Sequence, residues 1–454
     1  MQLATSNIYL TNLPTTVYKL SAVFLLTCIT AVVNAQQPDT LKNERFSIHA
    51  QTTVVAQFKP AFKVPYTGNN SLLPKRETQT SITSTLFLGA ALWRGATVFI
   101  NPEIAGGSGL SQALGVADAT NGETFRVGDP SPKIYLARLL LRQVFALSSN
   151  TTYHQSDINL VAQHSPDKYI SVTAGKLGMA DYFDNNAYSH DPRTQFLSWG
   201  LMSNGAWDYP ANTRGYTPSV IVDYVTPLNE IRYGLSLVPL TANGNEMNWK
   251  VSQASSQTVE FTHRFSIAKQ NGAVRLLAFY TSANMGNYRQ SIAAAPQKPA
   301  VEDTRKFGNH KYGFGINAEQ KLTASLGCFA KASWNDGNNE TWMFTEIDRS
   351  ASAGLSLTGE SWKRKNDNAG LAFVISGISK AHQDYLKAGG AGFMLGDGKL
   401  SYAPESVTEF YYSAELVSGQ LYVTGTYQLL LNPGYNKDRH GPVNIFSLRV
   451  HTKI

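Results

Sequence analysis

Charge is scarce in this sequence. Only 16% of its 454 residues are Asp, Glu, Lys or Arg, against about a quarter in an average soluble domain. Long apolar runs are scarce as well. The one stretch with the look of a membrane helix, Leu20 to Val33, has 14 residues, where a bilayer span needs about 20. Mean hydropathy is slightly negative, which excludes a polytopic helical membrane protein. There are two cysteines, Cys28 and Cys328, too few for a disulfide framework. No G-x-S-x-G elbow, P-loop, H-E-x-x-H or paired C-x-x-C occurs, so the common hydrolase, nucleotide and zinc signatures are missing. The nine His are dispersed, without metal-ligand spacing, and no cofactor is expected. Lys and Arg are scattered without runs, which gives no footprint for nucleic acid.

Lys19, the apolar stretch and the small residues at Val33-Asn34-Ala35 have the layout of a secretory signal peptide. Residues 1–35 are expected to be a signal peptide cleaved after Ala35, leaving residues 36–454 as one domain. Loss of Lys19 leaves 38 basic and 32 acidic residues, a net charge of +6. Cys28 raises the alternative of a lipidated N-terminus, but Thr27 is bulkier than the residue wanted before a lipidated cysteine.

What the chain has instead is aromatics, with 22 Tyr, 21 Phe and 7 Trp, set in segments that alternate apolar and polar. Phe446, Leu448, Val450 and Thr452 fall on one face of the last segment, and Ser447, Arg449, His451 and Lys453 on the other. Phe410 and Tyr412 oppose Glu409 and Tyr411, and Phe261 and Phe265 oppose Glu260 and Arg264. Strand side chains alternate with period two, so each strand meets an apolar medium on one side and a wet one on the other. Short connections near Ser148–Asn150, Thr226–Asn229, Lys269–Gly272, Thr323–Ser325 and Val417–Gln420 alternate with long ones near 59–80, 102–133, 178–215, 283–310, 379–405 and 432–441. Short turns on one side and long loops on the other are the mark of an outer-membrane barrel. Only closed barrels and helices satisfy every backbone group in lipid. The expected fold is therefore all-β, a transmembrane antiparallel β-barrel in the cell outer membrane.

Seventeen segments alternate, but single-chain bacterial barrels have even strand numbers. Either Phe196–Leu201 adds a strand, giving 18, or one segment between 81 and 177 is no barrel strand, giving 16.

Four stretches resemble the carbohydrate-selective porin (OprB) family. They are Asn101-Pro-Glu-Ile-Ala-Gly-Gly107 with Asn121-Gly-Glu123; Tyr135–Gln143; Ala174-Gly-Lys176 with the run from Asp181 to Phe196; and Tyr427–Arg449. The resemblance implies 16 strands and passage of sugars. Its last residue, Ile454, departs from the terminal aromatic usual in such barrels.

Arg138 and Arg142 lie four apart and point into the lumen if Leu139 and Leu141 meet lipid. Loop 178–215 carries Asp181, Asp184, His190, Asp191, Arg193, Trp199, Trp207 and Asp208. Sugar recognition stacks apolar ring faces on aromatics and bonds hydroxyls to charged groups. Arg138, Arg142, Asp191, Arg193, Trp199, Trp207 and Glu103 are the expected substrate pathway. The competing expectation is that the same charges are salt bridges holding the loop in place. Trp93 reads as interfacial girdle, and Cys328 as packing on an apolar face. Leu448 should face lipid, and Arg449, facing the lumen, should tolerate Leu.

Passive diffusion of carbohydrates is the leading functional expectation, with a general or anion-preferring pore as runner-up. An outer-membrane hydrolase would need a Ser and an acidic or amide partner near His263 on the lipid side. A non-conducting barrel with glycan-binding loops is a third class. Permeant sugars, outer-membrane lipid and the barrel assembly machinery are the expected partners, and the protein is a monomer or a trimer.

Overall fold

The computed structural model describes residues 42–123 and 131–454, so the signal peptide and its cleavage after Ala35 lie outside the described residues. In chain order the strands are β1 (Phe46–Lys59), β2 (Glu77–Trp93), β3 (Ala96–Gly107), β4 (Lys133–Ala146), β5 (Thr151–His154), β6 (Gln163–Pro166), β7 (Tyr169–Leu177), β8 (Thr217–Val225) and β9 (Asn229–Ser236). They continue as β10 (Ser255–Ile267), β11 (Gln270–Met285), β12 (Lys306–Lys321), β13 (Leu326–Asn335), β14 (Arg349–Gly359), β15 (Arg364–Gly377), β16 (Glu405–Val417), β17 (Leu421–Leu431) and β18 (Val443–Lys453). All but β5 and β6 join one closed antiparallel barrel of sixteen strands, in which β1 pairs with β18 and β4 with β7. Closure removes every sheet edge, the condition for a sheet in lipid. No helix among the described residues is long and apolar enough to cross a membrane.

The alternation read from the sequence becomes two opposite surfaces. Phe410 and Leu448 are 47% and 53% exposed, whereas Glu409 and Arg449, next to them in the chain, are fully buried. Apolar side chains outside and charged ones inside invert the arrangement of a soluble protein. Leu139 and Leu141 lie outside and Arg138 inside, as their spacing predicts.

Seven of the connections on the side of the chain termini alternate with eight long loops on the other, and two of those long ones, 237–254 and 336–348, were not anticipated. The turn foreseen at Ser148–Asn150 exists, but the chain then forms a separate two-stranded sheet, β5 with β6, before rejoining the barrel at β7. This hairpin takes no part in the barrel, which leaves sixteen barrel strands. Phe196–Leu201 is not a strand either. Phe196, Leu197, Trp199 and Leu201 are all buried, and Trp199–Met202 forms a short helical turn, α1. Apolar residues packed nearly side by side in sequence need cover in every direction, which a one-faced barrel strand does not give.

The protein's apolar core is inside the barrel, made by its own long loops. Phe183, Trp199, Trp207, Tyr209, Trp342 and Phe344 form one buried cluster. The rings of Trp199 and Tyr209 stack at 5.7 Å. Asp208 fastens loop 336–348 to loop 178–216 by accepting the backbone N–H groups of Trp342 (2.8 Å), Met343 (3.2 Å) and Phe344 (2.8 Å). Burial pushes the Asp208 carboxyl up, and Lys311 and these N–H groups oppose that push.

Candidate functional site

Between the inner wall of β2–β4 and the inward-folded loop 178–216 lies a cavity of about 570 Å³. Glu103 on β3, Arg138 and Arg142 on β4, and Asp191, Arg193 and Trp199 on the loop all line it. Trp207 does not. It is 1% exposed, set edge-on against Phe183 at 6.1 Å, and supports the loop from behind.

The charges are arranged as pairs with exceptions. Arg138 grips Asp181 through both oxygens, with Nε to Oδ2 and Nη2 to Oδ1 each 2.7 Å. Its guanidinium also covers the Tyr216 ring at 5.0 Å. A planar fork meeting a carboxylate in this way fixes direction as well as charge. Arg193 donates Nε to Glu123 at 2.7 Å and lies 3.6 Å from Glu103. Glu103 also accepts from Thr85 Oγ1 (2.5 Å), Tyr216 OH (3.0 Å) and Tyr135 OH. Asp191 serves its own loop, accepting the backbone N–H of Arg193 at 3.0 Å and Thr194 Oγ1 at 2.8 Å. Burial pushes the Asp191 carboxyl up, but Arg193 and these donors prevail and hold it below the usual range.

Arg142 is different. Its Nη2 donates to Tyr169 OH at 3.4 Å, the ring of Tyr169 lies 5.8 Å away, and its Nε is buried without a partner. It has no carboxylate partner among the described residues. Arg214 likewise packs over the Tyr135 ring at 4.2 Å and leaves Nη1 unpartnered. Arg138 Nη1, His190 Nδ1 and Asn159 Oδ1 are unpartnered as well, and all five residues line the cavity. Buried polar atoms are normally hydrogen-bonded, and this concentration of unmet ones marks a place for water or a hydroxyl-rich solute.

Tyr135, Arg214, Tyr216, Glu123 and Asn159 belong to the cavity and were not foreseen there. Tyr135 has a specific reason. By period two it belongs on the face opposite Arg138, but the β3–β4 register shifts between Asn101 and Pro102, so that Asn101 pairs with Arg138 and Pro102 with Leu136. Ala137 is the extra residue of a β-bulge, which reverses the parity of everything before it. Pro102, with no N–H to give the ladder, is the sequence signal that such an irregularity is present.

Among the described residues no three His, Cys, Asp or Glu side chains are placed to hold a metal. His263 lies on the outer face, with Nδ1 2.8 Å from Asn229 Oδ1 and its ring stacked on Phe265. Trp93 is exposed beside the β2–β3 turn, its Nε1 donating to Gln143 at 2.8 Å.

A family model described as carbohydrate-selective porin, OprB family, matches residues 69–454. The high-pH structure of Pseudomonas putida OprB superposes with a TM-score of 0.69 at 16% identity, covering 90% of this chain and 94% of that one. The low-pH structure of the same protein gives 0.48 at 12% identity, covering 90% and 93%. The outer-membrane channel DcaP of Acinetobacter baumannii gives 0.49 at 9%, covering 91% and 100%. No curated protein matches the sequence.

Proposed function

This chain belongs to the carbohydrate-selective porin (OprB) family, and on that premise we propose that the cavity between β3–β4 and loop 178–216 is where permeating sugars are recognised. The observation that carries the proposal is the combination in one cavity of the aromatic rings of Tyr135 and Tyr216 with cationic and amide atoms that have no partner in the protein. Sugars offer what that surface lacks: apolar ring faces for the aromatics and hydroxyl groups for the unmet donors and acceptors.

The charged residues then divide into two roles. Arg138, Arg193, Glu103 and Asp191 are mainly committed to each other or to the loop, and set the shape of the passage. Arg142 and Arg214 face it with spare donors. We place the protein in the outer membrane after export with signal cleavage at Ala35, folded by the barrel assembly machinery and surrounded by lipid, as monomer or trimer. It acts as a passive pore and not as an enzyme.

Liposome swelling tests this directly. Vesicles carrying the protein should swell faster in isosmotic glucose or maltose than in uncharged non-sugar solutes of equal mass. Rates that follow solute mass alone would refute sugar recognition. A second reading, an anion-preferring pore, is favoured by the uncompensated Arg142 and Arg214, since unpaired guanidinium groups in a lumen attract anions and repel cations. A reversal potential towards the anion limit, together with mass-governed swelling, would select it.

A further inference from the structure

The connection between β4 and β7 is built as more than a turn. Its hairpin is strapped to β1 and the segment leading into it: Glu44 N–H donates to Ala162 O at 2.8 Å, His164 N–H to Asn43 Oδ1 at 2.9 Å, and His49 Nε2 lies 2.8 Å from Ser156 Oγ. Val161 and Ala162 are buried, and Val161 shares an apolar cluster with Phe99 of β3 and Leu140 of β4. The hairpin's tip is thereby fixed against the inner wall at the end of the barrel where the chain termini lie.

The tip itself, Asp157–Leu160, is a closed turn. Asp157 and Leu160 exchange backbone hydrogen bonds of 3.1 and 2.9 Å, and Asp157 Oδ1 accepts the Ile158 N–H at 2.8 Å. Asn159 occupies the left-handed region at φ 52°, a conformation that Asn accepts more readily than most residues. Ile158 and Asn159 line the same cavity as Arg142, together with His451 near the end of β18. Asn159 Oδ1 and Arg142 Nε are both buried without partners. Arg138 and Arg142 are four strand residues apart, or about 13 Å, which exceeds a single pyranose ring. One ring therefore cannot occupy both ends of the cavity.

We propose that Asn159 on this hairpin tip and Arg142 on β4 form a second saccharide subsite, next to a first one at Tyr135, Arg214 and Tyr216, so that the pore prefers saccharides of two or more units. The proposal rests on the sugar-pore reading above and adds the substrate class. Asn159 presents an acceptor and Arg142 a donor to the hydroxyls of the second unit, and Ile158 offers an apolar surface to its ring.

The test is current block in planar bilayers by glucose, maltose and maltotriose, for the full protein and for Asn159→Gly and Asn159→Asp, with liposome swelling in the same sugars alongside. Gly keeps the left-handed backbone and removes the amide, and Asp keeps an acceptor oxygen. The wild-type half-blocking concentration should fall from glucose to maltose. In Asn159→Gly it should rise about 3- to 10-fold for maltose and maltotriose, the worth of one hydrogen bond, and less than about 2-fold for glucose, which needs only the first subsite. Asn159→Asp should stay close to wild type. Equal changes for all three sugars, no change, or loss in the Asp variant as large as in Gly would overturn the subsite. Wild-type swelling that favours sugars, without any chain-length effect on block, would overturn the subsite and leave the sugar pore standing. Absence of sugar preference in both assays would overturn the pore reading itself.

Discussion

Arg138 and Arg142 share one strand, one face and one charge, yet the structure gives them different duties, and single substitutions should separate them. Arg138→Ala removes both arms of the grip on Asp181, a residue at the root of loop 178–216. The Arg138 side chain is 10% exposed and that of Asp181 35%, so the pair sits between two limits. Breaking a fully buried pair costs about 3–5 kcal/mol, and an exposed pair contributes about 0.2–1 kcal/mol. An intermediate figure of about 2 kcal/mol raises the population of loop-released states about 30-fold. In single-channel recordings this should appear as a higher main conductance with frequent flickering, while sugar block per open channel is little changed. Arg142→Ala breaks no ion pair. It should leave the baseline quiet, shift the reversal potential towards cations and weaken block by maltose about 3- to 10-fold, the value of a hydrogen bond from a charged donor discounted for a wet site. Flickering in Arg142→Ala, or a quiet Arg138→Ala channel that has lost sugar block, would refute this division of roles.

Leu448→Arg should destabilise the barrel by about 2–4 kcal/mol if Leu448 lies near the bilayer midplane, measured by urea unfolding in lipid vesicles. Arg449→Leu should not be mild, contrary to the expectation from alternation alone, because Arg449 Nη1 donates to the carbonyls of Pro192 and Gln195 at 2.7 Å each. Its loss strands two acceptors of the lumen loop, at about 1–3 kcal/mol for each buried group, and should make that loop accessible to added protease. Asp208→Asn keeps only one acceptor oxygen for three N–H groups and should lower the melting temperature of the lumen core through a loss of about 2 kcal/mol. Burial raises the carboxyls of Asp118 and Glu346 to about 6 and about 7, from ordinary values of 3.8 and 4.5. An acid raised in the folded state binds its proton more tightly there, so its contribution is full below the unfolded value and is lost as pH rises through the folded one. Asp118 accepts from Ser198 and Gly200, and Glu346 from Leu395, so loop packing should loosen between pH 4 and 7. Single-channel noise recorded at pH 4.5 and 7.5 should be greater at 7.5, and the reverse would contradict the assignment.

The barrel was legible because its environment enforces period two on every strand: Phe410, Leu448, Glu409 and Arg449 all lie on the faces that alternation assigns. The inward aim of Arg138 and Arg142 was legible for the same reason, through Leu139 and Leu141 between them. Sequence reading failed where a different rule took over. The β5–β6 hairpin lies between two barrel strands but pairs with itself, and pairing partners leave no local mark. Tyr135 was missed because a one-residue bulge reverses parity. Trp207 reads from the sequence as part of the passage because an aromatic in a lumen loop has the same sequence signature whether it faces a solute or packs behind the residue that does. Arg449 reads from the sequence as replaceable because alternation tells which way a side chain points and not what it meets there.

A barrel that conducts and binds sugars within it has an electrical signature, read by reconstitution into planar bilayers with sugars added on one side at a time. Discrete conductance steps whose current falls saturably as sugar is added, and falls less for maltose in Arg142→Ala, are the predicted result. Steps that are indifferent to every sugar beyond the effect of solution viscosity would contradict it.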